Sequence, residues 1–365
     1  MRNFLYFCFA FILVLQASSC SQQYYSQEDF LKTEKIDTHV HLFTLKSNLI
    51  EQAKADNFKL VTINTDAGDS VWVNTQFEIS RAQAANYPET VSFAVTFNLN
   101  GWDEPEWSDR ALQIIKDRIG QGGIAVKVWK NIGMGFRDRN GQLIMIDDPK
   151  FDPVFKYLAE NKIPVYGHLG EPKNCWLPIE KMTSKSDRNY FAAHPQYHMY
   201  LHPEFPSYDD QIAARNRMLD KNPGLTFIGC HLASLEWSVD ELGAFLDRYP
   251  NASVDMAERM VHFFYQTISD REKVRNFFIK YQDRLLYGTD LSEGDQSDAE
   301  ELKRRVHATY LFDWSYFTTD DLLTNVQLLD GQFQGLKLPK AVVDKIYSGN
   351  ARKYLKVGGR QPVNG

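Results

Sequence analysis

The stretch Lys35-Ile36-Asp37-Thr38-His39-Val40-His41-Leu42 decides how the rest of the chain is read. Apolar and polar residues alternate along it, as in an extended strand whose successive side chains point to opposite faces. That period projects Asp37, His39 and His41 to one side and turns Ile36, Thr38, Val40 and Leu42 toward a helix layer. Two imidazoles on one strand face converge on one point.

Seven further short apolar runs follow at intervals: KLVTINTD from Lys59, VSFAVTFN from Val91, IAVKVWKN from Ile124, PVYGHLG from Pro164, LTFIGCHL from Leu225, ASVDMAER from Ala252 and LLYGTDLS from Leu285. Amphipathic, helix-like segments separate them, among them Asp109–Ile119, Phe151–Asn161, Ser207–Asn222 and Ser238–Tyr249. Alternation of this kind predicts a parallel sheet with helices outside it. Eight units predict an α/β fold, a single (β/α)8 TIM-type barrel over 35–357, with its active site at the C-terminal ends of the strands. A doubly wound open sheet is the alternative, and the absence of GxGxxG after the first strand counts against a dinucleotide site. The longest gap, Glu171 to Gly224, is read as an insertion between strands 5 and 6 that walls or covers the mouth.

Length and composition agree with this reading. The 365 residues are 43% hydrophobic and 24% charged, an ordinary globular balance that excludes low-complexity and disulfide-scaffold classes. With 41 basic against 47 acidic residues there is no cationic excess for phosphate contact, so nucleic acid is not an expected partner.

Of nine histidines, four fall at ends of predicted strands. His168 closes the fifth and His231 the sixth, where Cys230 is expected to point the opposite way into the helix layer. Asp290 closes the eighth, on the side shared with Gly288. Imidazoles and a carboxylate meeting at one mouth suit zinc, manganese or iron, with a position left for water.

At these residues the chain resembles the metal-dependent amidohydrolase superfamily, in the amidohydrolase-related branch that includes aminocarboxymuconate-semialdehyde decarboxylase. The resemblance runs from about Ile36 to Leu355 and ends on IYSGNARKYL from Ile346, similar to that branch's C-terminal helix. It implies that His39, His41, His168 and Asp290 hold one divalent metal, zinc with manganese as the alternative, and that His231 is catalytic, in the second shell, or a ligand of a second metal. Lys127 shares the inward face of its strand with Ala125 and Trp129; binuclear superfamily members carboxylate such a lysine, whereas this branch uses one near substrate. The expected activity is hydrolysis of a small lactone, ester or amide, with Asp290 moving the proton and His231 steadying the oxyanion. Non-oxidative decarboxylation of an unsaturated or aromatic acid is the alternative, and a non-catalytic surface-anchored binding protein is the reading from another class.

Lys127, Glu171 and Arg259, at or just beyond strand ends, are the candidate substrate contacts, with Lys130, Asp66, Asn98 and Trp176 behind them. His194, His198 and His202 recur every four residues, but Pro195 and Pro203 interrupt any helix that would align them, so a loop is expected. His262 and His307 show no partner pattern.

The N-terminus is an address. Arg2 precedes an apolar run from Phe4 to Leu15, too short to span a bilayer that takes about twenty residues. The following Leu15-Gln16-Ala17-Ser18-Ser19-Cys20 resembles the lipobox of bacterial lipoproteins. Residues 1–19 are therefore expected to be a cleaved signal, Cys20 the lipid anchor of an exported envelope protein, 20–34 a tether and 358–365 a tail. Membrane contact is expected through the anchor only, with a small molecule as substrate. Cys175 and Cys230 are expected to be free and buried.

Overall fold

The computed structural model describes residues 23–357. Eight parallel strands run in chain order: β1 (Lys35–Leu42), β2 (Phe58–Ile63), β3 (Val91–Thr96), β4 (Ala125–Val128), β5 (Val165–Gly167), β6 (Phe227–Gly229), β7 (Ala252–Asp255) and β8 (Leu285–Leu286). Each pairs with its sequence neighbour, and a short β9 (Ser292–Glu293) pairs with β1. Beyond β8 the ring is completed by backbone bonds: Thr38 N–H donates to the Tyr287 carbonyl (2.9 Å), and Asp290 N–H to the His39 carbonyl (2.7 Å). The eight expected runs thus form an α/β TIM-type fold.

The strands are short and apolar because both faces are covered. Inside the ring, Ile36, Val61, Ala94, Ala125, Tyr166, Ile228 and Leu286 form one buried cluster, joined by Ala351, Leu355 and Val357 of the C-terminal segment. The helix Asn350–Leu355 is thereby a plug at the N-terminal end of the barrel; Asn350 fastens it by donating to the carbonyls of Gln282 and Leu285, 2.7 Å each. The closing IYSGNARKYL motif is structural.

Two expectations about side-chain direction fail for a local reason. The β1–β2 register shifts between Asp37 and Val40. Ile36 consequently faces the interior, and Asp37 turns outward, where it accepts from Thr289 Oγ1 (2.6 Å) and Tyr310 Oη (3.0 Å). An irregularity inside a strand breaks the two-residue period that a sequence reading must assume. Cys230 likewise faces the interior: it lies two residues beyond the inward Ile228, in the same cluster.

The expected tether also needs correction over its described part. Residues 23–34 are docked on the barrel: Lys340 N–H donates to the Gln23 carbonyl (2.8 Å), Tyr25 Oη to Asp344 (2.5 Å), and Trp314 Nε1 to the Ser26 carbonyl (3.2 Å). Phe30 is buried against Phe58 and Trp314. The signal, Cys20 and the 358–365 tail lie outside the described residues. Among the described residues no helix is long and apolar enough to cross a membrane.

Candidate metal centre

At the C-terminal end of the barrel, three imidazoles are anchored through Nδ1. His39 Nδ1 donates to Asp255 Oδ2 (2.8 Å), His41 Nδ1 to the Ile63 carbonyl (2.7 Å), and His231 Nδ1 to the Ala257 carbonyl (2.9 Å). Carbonyl and carboxylate oxygens only accept, so a neutral ring at each of these positions carries its proton on Nδ1 and its lone pair on Nε2. Burial pushes His39 and His231 down, toward the neutral form, helped by the Lys127 ammonium at His39 and by His168 at His231; His168 is driven down by burial and by Lys127 and Lys130.

These lone pairs point at one carboxylate. Asp290 Oδ1 lies 3.0 Å from His41 Nε2 and 3.3 Å from His39 Nε2, and the His39, His231 and Asp290 donor atoms all fall within 4.8 Å of one another. His168 stacks beside His231 with ring centroids 4.1 Å apart, and its buried Nε2 has no hydrogen-bond partner, nor has Asp290 Oδ1. Lone pairs facing a carboxylate oxygen at 3 Å repel unless a cation lies between them. The donor set therefore fits one divalent ion, and its N and O chemistry suits zinc or manganese.

His39, Cys230 and Asp255 form a second, deeper cluster. Here the cation is supplied by the chain: Lys127 Nζ donates to Cys230 Sγ (3.1 Å) and lies 3.5 Å from His39 Nε2. Burial pushes the Cys230 thiol well up, and Asp255 is already bonded to His39. The outer set is the better metal site.

Backbone geometry aims the ligands. Asp290 (φ 67°) and His231 (φ 56°) both adopt the left-handed region, unusual for such residues, which turns their side chains inward as the chain leaves the strand. Gly288 leaves room, since a Cβ there would stand 3.0 Å from His39 Cβ.

The expected substrate contacts are distributed differently. Lys127 points into the barrel as anticipated and is buried beneath the centre. Glu171 is paired with Lys130, its other oxygen 3.8 Å from His168 Nε2. Arg259 is buried among Asp187, Glu236, Glu171 and Glu258 and donates to the Glu258 carbonyl (3.0 Å). None of the three lines the cavity of about 770 Å³ that opens on Asp290. That cavity is walled by Ser186, Glu258, Arg304, Arg305, Phe312 and Asn325, which no strand-end argument selects.

Asp255 is the main residue that the strand-end reading passed over. It ends β7 and accepts from His39, from His231 N–H (2.8 Å) and from Ala257 N–H (3.2 Å). Burial opposes its charge, but the His39 contact outweighs it and holds the carboxyl down at about 2. The parity argument used for His168 and Asp290 would have found it. His231 also changes role. With its proton on Nδ1 it offers a lone pair to the centre, so it cannot donate to an oxyanion.

The remaining candidates are structural. Asp66 accepts from Gly68 N–H (2.9 Å) and Leu99 N–H (3.3 Å), and the carbonyl of Asn98 accepts from Trp107 Nε1 (3.2 Å). Trp176 Nε1 donates to the Pro206 carbonyl (3.3 Å). His194, His198 and His202 each bond a backbone carbonyl in the proline-broken insertion, at 2.8, 2.7 and 3.0 Å. His262 and His307 do have partners, Asp187 (3.4 Å) and Asp56 (2.8 Å). Cys175 and Cys230 are free and buried.

The amidohydrolase family model matches residues 36–357. The chain belongs to the amidohydrolase family. Among solved structures, this amidohydrolase is similar to an uncharacterized TIM-barrel protein of Bordetella bronchiseptica, with 16% identity, 90% of this chain and 100% of that chain covered, and a TM-score of 0.51. It is also similar to 2,6-dihydroxybenzoate decarboxylase from Rhizobium, at 15% identity, 90% and 100% coverage and a TM-score of 0.53. A third is manganese-bound 5-carboxyvanillate decarboxylase from Novosphingobium aromaticivorans, at 14% identity, 90% and 98% coverage and a TM-score of 0.50. At such identities the likeness speaks for the fold. No curated protein matches the chain in sequence.

Proposed function

We propose that this amidohydrolase is a metal-dependent hydrolase of a small lactone, ester or amide, anchored to the cell envelope through acylated Cys20. The observation that carries the reading is the convergence of the His39 and His41 Nε2 atoms on Asp290, which lines an open cavity. His39, His41 and Asp290 would hold the ion, with His231 and His168 in reach to complete its shell; zinc is the first choice and manganese the second. A divalent ion bound there acidifies a water and polarises a substrate carbonyl.

The chain's own groups supply the rest. Asp290 Oδ1 is buried, yet a quarter of the side chain is exposed, so the carboxylate keeps an edge open to the cavity. That edge accepts the proton of the attacking water and returns it to the leaving oxygen or nitrogen. Asp255 and the Ile63 and Ala257 carbonyls lock the three rings and spare reorganisation during turnover.

The test is a screen of lactones, esters, amides and carboxylic acids with the wild-type protein and the Asp290→Asn variant. The reading expects acid release by the wild type and a loss of at least about 100-fold in the variant, which keeps the side-chain volume but not the base. Release of carbon dioxide from an acid, without hydrolysis, would replace it with decarboxylation; full activity in Asp290→Asn would remove Asp290 from the mechanism.

A further inference from the structure

From the docking of the N-terminal segment we infer that the closed end of the barrel lies directly against the lipid surface and the catalytic mouth points away from it. The inference rests on the proposed acylation of Cys20. Only Ser21 and Gln22 separate that residue from Gln23, whose carbonyl is already bonded to Lys340 N–H at 2.8 Å. Three residue steps reach about 10 Å at full extension. A lipid on Cys20 therefore cannot hold the barrel at a distance. The face that carries Gln23 must sit within roughly one Debye length of the headgroups.

That face is the base. From Gln23 the chain runs along Trp314 and Asp344 to Phe30 and then reaches Lys35, where β1 begins at the N-terminal end of the barrel. Lys340 starts the helix Lys340–Asp344, which leads into the plug Asn350–Leu355 beneath β8. The site histidines lie at the far ends of the strands.

The base is also suited in charge to an anionic bilayer. Arg352 pairs with Glu34 and Lys345 with Asp283 (2.9 Å). Lys32, Lys353 and Lys356 are exposed and make no ion pair among the described residues, and Leu31 beside them is 57% exposed. Basic side chains within a Debye length of anionic headgroups are attracted to them, and an anchored chain gains a second hold from such a patch.

The test uses the full chain purified from bacterial membranes and placed in phosphatidylethanolamine–phosphatidylglycerol vesicles containing nitroxide-headgroup lipid. A fluorophore is attached at Lys353→Cys on the base or at Val71→Cys on the mouth side; Val71 is 72% exposed and both native thiols of the barrel are buried. Quenching of about twofold or more at position 353, with none at 71, is expected. Lys32→Cys and Val326→Cys are a second base and mouth pair should either label disturb folding. Equal quenching at both positions, or quenching at 71 alone, overturns the orientation. Mass spectrometry separates the premise from the inference: a Cys20 without acyl chains overturns the anchor itself, whereas an acylated chain with a quenched mouth label overturns only the placement.

Discussion

Replacing Asp255 by Asn changes no volume and leaves the donor set of the metal centre in place, yet it should disable His39 as a ligand. Asp255 Oδ1 faces two backbone donors, His231 N–H at 2.8 Å and Ala257 N–H at 3.2 Å, so the Asn carbonyl oxygen must take that position. Its NH2 group then faces His39 Nδ1, which in the wild type donates to Oδ2 at 2.8 Å. Two donors cannot share that contact. The proton of His39 moves to Nε2, where it meets Asp290 Oδ1 at 3.3 Å and blocks the lone pair that would bind the ion. Loss of an orienting partner of this kind costs about 10–100-fold in metal affinity, and abolishing the tautomer places Asp255→Asn at the upper end. Competition with a chromogenic chelator for zinc and manganese measures the affinity, and the nitrogen chemical shifts of His39 report the tautomer. Wild-type affinity with the proton still on Nδ1 would show that Asp255 does not set the His39 tautomer.

Asp313, buried and bonded to Tyr287 Oη at 2.8 Å, is pushed up to about 7 by burial. Its contribution to stability is present below the ordinary carboxylate range near pH 4 and is lost as pH rises through about 7, by roughly 4 kcal/mol at most. Asp313→Asn should therefore raise the melting temperature at pH 8 more than at pH 5; an equal change at both would contradict this. Asp187 accepts from Asn174 Nδ2 (2.7 Å) within the insertion and ties the insertion to the barrel by facing His262 (3.4 Å); burial would raise it, but His262 and Arg259 hold it low. Its stabilisation is full above about pH 4 and lost only in stronger acid. Asp187→Ala removes one of the carboxylates around buried Arg259 and the acceptor of Asn174, and should cost about 1–3 kcal/mol, seen as early proteolysis between residues 171 and 224, with the barrel cut later; unchanged cleavage there would deny the latch.

The barrel was legible because eight apolar runs recur between amphipathic segments, and the histidines because strand ends in such a fold face one mouth. Two features broke the period on which that reading depends. The register shift between Asp37 and Val40 reverses Ile36 and Asp37, and left-handed backbone at His231 and Asp290 re-aims residues after their strands stop. Neither leaves a compositional trace. Asp255 was within reach of the same parity argument. The cavity wall was not: it joins Glu258, Arg304 and Asn325 from three separate segments, and only tertiary packing brings them to Asp290. The docking of residues 23–34 was hidden in the same way, because a polar stretch reads as a tether until its partners on distant helices are known.

The proposed chemistry requires the outer donor set to hold a single divalent ion. Elemental analysis of the purified protein, repeated on Asp290→Ala, tests this, because Asp290 belongs to the outer set and not to the deeper one. About one zinc or manganese per chain is expected in the wild type and well below one in the variant. One ion retained in Asp290→Ala, or two in the wild type, would place metal in the deeper His39–Cys230–Asp255 cluster and contradict a single outer site.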